Sequence, residues 1–146
     1  MAVSYDDVEV GTEIAAQTYG VTRGQLVQYA GASGDFNIIH WNERFATAVG
    51  LPNVIAHGMF TMATAARLVT DWVGDPAAVL EYGVRFSSMV PVPDDDKGNT
   101  LIVSGTVEEK LDGKRVSVGL TARSGGVDGA DGAKVLTQAR AIVQLS

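Results

Sequence analysis

The chain is organised around residues 29–59, which read YAGASGDFNIIHWNERFATAVGLPNVIAHGM. The string SGDFNIIH places Asp35, Asn37 and His40 within six residues, on a segment that contains glycine. A carboxylate and an imidazole at this spacing suit an acid/base pair, because both side chain types can accept and donate protons in catalysis. The later string IAHGM leads through a glycine into a long apolar segment, and a helix that starts there favours negative charge at its first turn.

A first helix is predicted just before this motif. Thr22, followed three residues later by Gln25, forms a capping-box pattern at the helix start. Gly31 and Gly34 are expected to end the helix, because glycine adopts the left-handed conformation common at helix C-termini. Its apolar face is expected to contain Leu26, Val27, Tyr29 and Ala30.

The longest helix is predicted over residues 57–73. Apolar residues cover nearly all of its sides, and a helix of this kind is expected to be buried in the domain. The Gly74-Asp75-Pro76 sequence then ends it. Between the two helices, residues 33–40 are expected to form a loop or a single turn, and residues 42–48 a short helix.

The rest of the chain is predicted to form mainly strands. Strands are predicted near 13–21 and over 79–89, 101–111, 115–122 and 135–145. Asp112-Gly113 predicts a tight two-residue hairpin turn, because both residues tolerate positive φ, and residues 125–132 predict a longer flexible connection. This order predicts one α+β domain over residues 1–146, with an antiparallel sheet of four or five strands wrapped around the 57–73 helix.

Composition narrows the class of protein. The 146 residues include 46% hydrophobic residues, which is typical of a globular domain, and no cysteine, which favours a reducing compartment and predicts a cytoplasmic location. The net charge is 11 − 17 = −6, and there is no long basic cluster, so nucleic-acid binding is not expected. Neither a signal peptide nor an apolar run long enough to span a membrane is predicted. We expect no metal site and no cofactor, since neither a metal-ligand cluster nor a nucleotide-binding loop stands out.

With these residues laid out, SGDFNIIH followed by IAHGM resembles the MaoC-like, (R)-specific enoyl-thioester hydratases and dehydratases, whose fold is the hot dog. Longer strings, among them YAGASGD, IAHGMFTM, VTDWVGDPAAV and EYGVRF, are similar to the beta subunits of mycobacterial (3R)-hydroxyacyl-ACP dehydratases. The resemblance covers most of residues 5–105. The chain departs from the family pattern at Ile38, where proline is usual, and at Asn42, where aspartate is frequent; loss of the proline is expected to loosen the turn.

The resemblance implies reversible dehydration of (3R)-hydroxyacyl thioesters to trans-2-enoyl thioesters. It implies that Asp35 and His40 hold the water and divide the proton transfers, and that the Gly58 N–H stabilises the oxyanion of the thioester carbonyl. Asn37 either orients this pair through hydrogen bonds or caps the turn. His57 is expected to be structural, because the chemistry of the family does not use its ring.

Partners and substrate contacts are expected from the same resemblance. Substrates are acyl-ACP or acyl-CoA thioesters, and the chain is expected to dimerise with an alpha-type hot-dog subunit or with itself. The alternatives are an (R)-specific enoyl-CoA hydratase and a non-catalytic hot-dog partner subunit. Apolar residues on and near the long helix either line an acyl tunnel or form simple core: Met59, Phe60, Met62, Leu68 and Trp72. Five cations are candidates for binding the carrier: Arg23, Arg44, Arg67, Arg85 and Lys97.

Overall fold

The computed structural model describes residues 3–126 and 132–146. Within them lie three α-helices: α1 (Arg23–Ser33), α2 (Glu43–Ala48) and α3 (Gly58–Val73). The strands of the same ranges are β1 (Glu13–Val21), β2 (Val54–Ile55), β3 (Val79–Phe86), β4 (Pro91–Val92), β5 (Asn99–Leu111), β6 (Arg115–Ser124) and β7 (Lys134–Gln144). Short 3-10 turns cover Tyr5–Asp7, Ile38–His40 and Pro76–Ala78.

Five strands form one antiparallel sheet in the order β1-β5-β6-β7-β3, and β2 pairs with β4 beside it. The helix α3 packs against β1, β3 and β5. Gly105 of β5 allows close approach, because a Cβ there would lie 3.3 Å from Leu68 of the helix. The sheet therefore wraps around a central helix, which is the predicted α+β hot-dog arrangement.

The start of α1 and its end at Gly34 are as predicted, whereas Gly31, also expected to end the helix, lies within it. The Thr22 hydroxyl accepts from the Gln25 N–H, the Gln25 side chain accepts from the Thr22 N–H, and Gly34 ends the helix with a φ of 75°. The predicted apolar face is only partly correct. Leu26 and Ala30 are buried, whereas Val27 is 63% exposed, so the face that the helix turns towards the core is narrower than its apolar residues suggest.

The prediction that α3 is buried in the domain is only partly correct, because one face of the helix is buried and the other is exposed in the single chain. The face turned to the sheet contains Thr61, Thr64, Ala65, Leu68, Val69 and Val73. The opposite face is exposed at Met59, Ala63 and Arg67. Counting apolar residues in the sequence could not predict which face is buried, because two threonines are buried while a methionine and an alanine face outward. No helix in the described residues is long and apolar enough to cross a membrane.

Two further expectations need correction. The strand predicted over 79–89 ends at Phe86. The hairpin between β5 and β6 has a three-residue loop, and the residues with positive φ are Gly113 and Lys114 rather than Asp112. The central part of the predicted connection 125–132, residues 127–131, lies outside the described residues.

Gly98 lies directly before β5, where its backbone passes close to Val21 at the end of β1. Its φ is +64°, and a Cβ there would clash with the Val21 backbone oxygen. We expect Gly98→Ala to lower the free energy of unfolding by about 1–3 kcal/mol or more, because it combines backbone strain with a steric clash. Denaturant unfolding followed by circular dichroism measures the change.

Gly31→Ala is the matched control for that substitution. Gly31 lies within α1, has no positive φ, and an added Cβ would meet nothing within 4 Å. It should raise stability by up to about 1 kcal/mol, because alanine favours the helix. A Gly98→Ala variant as stable as the wild type would contradict the close approach of the two backbones.

Candidate active site

Asp35 lies directly after α1, where Gly34 turns the chain out of the helix. Its backbone N–H donates to the Ser33 hydroxyl at 3.1 Å, and its Oδ1 accepts from the Asn37 N–H at 3.1 Å. The side chain is 51% exposed. One carboxylate oxygen is thus held by the local turn, and Oδ2 is turned towards His40.

His40 ends the 3-10 turn Ile38–His40 and is buried. Its Nδ1 lies 2.6 Å from the backbone oxygen of Ile55 in β2. A carbonyl oxygen can only accept, so Nδ1 carries the proton and Nε2 keeps its lone pair while the ring is neutral. Nε2 lies 4.0 Å from Asp35 Oδ2.

The structure therefore brings together the two residues predicted as the acid/base pair. Their separation of 4.0 Å is too long for a direct hydrogen bond. A carboxylate oxygen and an unprotonated ring nitrogen are both acceptors, and a water molecule carries two donors. The arrangement suits a water that donates one hydrogen bond to each group.

The side chain of Asn37 caps the turn, with its Oδ1 accepting from the Ile39 N–H at 3.3 Å. The backbone N–H of the same residue orients Asp35. The side chain thus fits the capping alternative, while orientation comes from the main chain. The turn forms with Ile38 in place of proline, and Asn42 caps α2 by accepting from the Phe45 N–H at 2.9 Å.

Sequence reasoning assigned His57 a structural role, and the structure places its ring against both members of the pair. His57 is 1% exposed and its Nε2 lies 3.1 Å from the Asp35 backbone oxygen. Its ring stacks on His40, with centroids 3.8 Å apart and planes 25° apart. Burial lowers the pKa of His57, and the nearby His40 acts in the same direction, against the raising effect of the Asp35 carbonyl.

Gly58 begins α3, and the His57 side chain provides no cap for the helix. His40 and Gly58 line one cavity of about 380 Å³. The other lining residues are Ile55, Ala56, Thr61, Phe86, Ser87, Ser88, Met89 and Val90. Asp35 lies beside His40 rather than in the wall of this cavity. A helix start and an imidazole that face the same apolar space suit a thioester carbonyl and its reacting carbons.

Sequence reasoning named only His40 and Gly58 among the residues that line this cavity, and it missed two large apolar ones. Phe86 and Met89 are 54% and 46% exposed, although both are large and apolar. They lie at and beyond the end of β3, where the sequence predicted a continuous strand. None of the five apolar residues considered for either an acyl tunnel or the core lines this cavity. Leu68, for example, belongs to the core.

A metal ion is poorly matched to the donor set. Ligand atoms of Asp35, His40 and His57 lie within 4.8 Å of one another. However, the two imidazoles are stacked, so their lone pairs point along nearly parallel planes rather than to one point. One nitrogen of each ring is also engaged with a backbone oxygen.

Comparison with known proteins agrees with this fold. The model of the MaoC like domain family matches residues 7–124. A 3-hydroxyacyl-thioester dehydratase X of Mycobacterium tuberculosis is 44% identical over 73 residues, which are 50% of this chain and 25% of that enzyme. The chain spans less than a third of the length of the curated relatives that it matches.

Two solved structures are similar over almost the whole chain. A MaoC-like dehydratase has a TM-score of 0.91 and 38% identity, covering 99% of this chain and 43% of that one. The unliganded R-hydratase PhaJ1 of Pseudomonas aeruginosa has a TM-score of 0.81 and 26% identity, covering 99% of this chain and 86% of that one.

The fold and the site define a hot-dog domain of the hydratase and dehydratase class. The chain belongs to the family of MaoC-like domains, as its resemblance indicated. The relatives named above are hydro-lyases that act by adding or removing water.

The lowered pKa of His57 predicts how stability depends on pH. In the unfolded chain a histidine titrates near its ordinary pKa of about 6.5, and in the folded chain at a lower pH. Below about pH 6.5 the unfolded state therefore binds more protons, and the free energy of unfolding falls as the pH falls. Urea unfolding measured from about pH 7.5 to about pH 5 should show this loss.

The matched control for this pH dependence is His57→Gln, which cannot titrate. Its free energy of unfolding should fall less over the same pH range than that of the wild type. Equal pH slopes in the two proteins would contradict a buried, neutral His57.

Proposed function

We propose that the chain catalyses the reversible dehydration of (3R)-hydroxyacyl thioesters to trans-2-enoyl thioesters. The observation that carries this proposal is the pair of acceptors, Asp35 Oδ2 and His40 Nε2, 4.0 Å apart beside a cavity that His40 shares with Gly58. Such a pair can hold the water that is added or released, next to a donor for the thioester carbonyl.

In the hydration direction, the water loses a proton as its oxygen bonds to the β carbon, and a proton is delivered to the α carbon. In dehydration, the α carbon loses a proton, the bond from the β carbon to oxygen breaks, and the hydroxyl leaves as water after gaining a proton. The proton that the pair accepts from the water is the one it then delivers to the α carbon, and in dehydration the proton taken from the α carbon is passed to the leaving hydroxyl, so no external proton is consumed. The Nδ1–H bond to Ile55 keeps Nε2 as the reacting nitrogen.

The Gly58 N–H is the proposed oxyanion donor. Negative charge develops on the thioester oxygen when the α carbon gains enolate character, and the first N–H groups of α3 stabilise it together with the helix dipole. The support for this role is that Gly58 begins a 16-residue helix and lines the same cavity as His40.

We expect Asp35→Asn and His40→Ala each to lower kcat by at least about 10²-fold, because each removes one acid/base group. Hydration of crotonyl-CoA and of longer enoyl thioesters, followed by loss of enoyl absorbance, measures the rate. In the Asp35→Asn variant the new amide oxygen can still accept the Asn37 N–H, so the loop should keep its shape.

Asp71→Asn is the control for this test, because it makes the same substitution on an exposed residue of α3 that lines a different cavity. Its rate should equal that of the wild type. Wild-type rates in a folded Asp35→Asn or His40→Ala variant would contradict the proposed pair.

Gly58→Ala tests the close approach of the thioester to the helix start. A Cβ there would lie 3.2 Å from the ring of Phe86, which is exposed and free to shift. We expect kcat to fall by about tenfold to 10²-fold, because a methyl group beside the donor displaces the carbonyl. Steady-state kinetics with crotonyl-CoA measure it.

The double variant Gly58→Ala/Phe86→Ala separates two causes of such a loss. If the methyl group blocks the thioester directly, the double variant stays slow. Recovery of the rate would assign the loss to a displaced Phe86 ring, and a normal rate in the single variant would contradict close approach altogether.

The finer assignment is a dehydratase subunit that acts on ACP-bound chains in fatty-acid elongation, including elongation towards mycolic acids. Its support is the likeness of the longer sequence strings and the similarity to the mycobacterial dehydratase. Of the cations considered for the carrier, Arg23 binds Glu43 and Arg67 lies over the Tyr19 ring. Arg85 is exposed on β3 and directly precedes Phe86 of the cavity in sequence, and Arg44 and Lys97 are exposed as well, so these three remain candidates for binding an acidic carrier or a CoA phosphate.

An (R)-specific enoyl-CoA hydratase is the second candidate, favoured by similarity to an R-hydratase over 99% of this chain. Rates on matched CoA and ACP thioesters, with and without an alpha-type subunit, distinguish the two candidates. The third alternative, a non-catalytic partner subunit, is disfavoured because such a subunit has no need of the Asp35–His40 arrangement. Inactivity on all of these thioesters would favour it.

The assembly that we propose is a dimer formed through β3, with an alpha-type chain or with a second copy. The edge strands of the main sheet are β1 and β3, and an edge strand without a partner exposes unpaired backbone groups. β3 also exposes Leu80 and Phe86, which are 51% and 54% accessible. A partner on this edge lies next to the cavity, because Phe86 belongs to both.

We expect the protein expressed alone to be a homodimer that buries more than roughly 1,200 Å² in total, the lower range for specific interfaces. Leu80→Asp should make it monomeric, since a charge would be placed at the apolar edge. Light scattering at micromolar concentration measures the mass. Ile102→Asp is the control, because Ile102 is 42% exposed but lies on the inner strand β5. A wild-type monomer, or a monomeric control variant, would contradict assembly through β3.

A further inference from the structure

His57 joins three separate segments of the site through one buried side chain. It precedes α3, its Nε2 lies 3.1 Å from the Asp35 backbone oxygen, and its ring stacks on His40 at 3.8 Å. Tyr29 of α1 closes another side of the ring, with centroids 4.7 Å apart. The His57 side chain is only 1% exposed, and a polar side chain is costly to bury unless it is hydrogen-bonded.

The contacts of the ring define its protonation. The Asp35 carbonyl can only accept, so the His57 Nε2 carries a proton. The His57 Nδ1 is buried and has no hydrogen-bond partner among the described residues. A second proton on Nδ1 would therefore be a buried donor without an acceptor, next to the ring of His40. The ring is thus a neutral donor with a fixed tautomer.

We infer that His57 is a positioning residue, whose Nε2–H holds the main chain of Asp35 so that its carboxylate stays opposite His40. This inference rests on the function proposed above. It assigns to His57 a task in turnover, beyond the structural role expected from sequence.

The hydrogen bonds of Asp35 show why this task is needed. The bonds to Ser33 and Asn37 are local and lie within two residues of Asp35. The bond from His57 joins residues 22 positions apart. Within the described residues, it is the one hydrogen bond that ties Asp35 to a distant part of the chain. Local bonds shape the loop, including the bond from the His40 N–H to the Asn37 carbonyl, whereas the long-range bond fixes Asp35 relative to the start of α3.

The stack on His40 has a related effect on the other member of the pair. The His40 ring is held at Nδ1 by the Ile55 carbonyl, which leaves rotation about that bond. The flat face of His57 at 3.8 Å limits this rotation, so Nε2 keeps its direction towards Asp35. One side chain thus restrains both atoms that define the 4.0 Å separation.

Two substitutions separate the hydrogen bond from the stack. His57→Gln places an amide N–H near the position of Nε2 but removes the aromatic ring. His57→Phe keeps a ring against His40 but removes the donor. If the donor positions Asp35, His57→Phe should lower kcat by about tenfold to 10²-fold, and His57→Gln should retain most of the rate. KM should change by less than about twofold, because His57 does not line the cavity.

The kinetic outcomes decide the inference. A Gln variant at least about tenfold faster than the Phe variant, at similar KM, supports it. A Phe variant as fast as the Gln variant or faster, or an equal loss in both folded variants, overturns it. Inactivity of the wild type itself on every enoyl thioester would instead refute the proposed function, so the two failures are distinguishable.

A measurement on the wild-type protein makes the inference independent of how the variants fold. Long-range ¹H–¹⁵N correlation spectra report the tautomer of each of the two histidine rings. At about pH 7 the His57 ring should be neutral with its proton on Nε2. An Nδ1–H tautomer or a charged His57 ring would overturn the inference.

Discussion

The packing of one face of α3 against the main sheet determines where everything else in the site lies. Leu68, Val69 and Val73 are buried on that face, and burial of each such side chain contributes about 1.5–3 kcal/mol. Gly105 allows the helix to approach the sheet closely. Because the body of the helix is fixed in this way, its first residues, His57 and Gly58, are fixed as well. The helix start can then serve as a rigid support for chemistry.

The loop that carries Asp35 is the opposite case, since the Asp35 side chain contributes little to the core. Asp35 is half exposed and follows directly on a helix end, and the turn after it has three residues. Its local hydrogen bonds fix the conformation of the loop but not the position of the loop relative to the sheet and α3. Its position comes from contacts with rigid parts, namely the Ile55 carbonyl on His40 and the His57 ring on Asp35. A loop built this way holds the Asp35 carboxylate in place without burying its charge.

Much of this could be predicted from sequence, because the signals are local. The capping box at Thr22, the glycine that ends α1 and the alternation of the strands each act over a few residues. The predictions that were wrong concern features that local sequence signals do not determine. Lys114 takes positive φ in a hairpin where an aspartate was expected to, and α3 buries two threonines while exposing Met59. Orientation towards a sheet depends on tertiary packing, which residue type alone does not encode. For the same reason the pattern IAHGM gave no sign that the His57 ring would reach Asp35, 22 positions earlier.

The position of the cavity links assembly to substrate binding. Phe86 and Met89, which line it, lie at and beyond the end of the edge strand β3 and are about half exposed. The same edge offers unpaired backbone groups to a partner. If a second chain adds to this edge, it covers the apolar residues that a lone chain leaves open to water, and the cavity gains a wall that this chain does not supply. The proposed acid/base pair, Asp35 and His40, needs no partner chain, because both residues and the His57 ring beside them come from one chain. On this reasoning, a change at the β3 edge should act mainly on KM and on the acyl length accepted, whereas a change at His57 should act mainly on kcat.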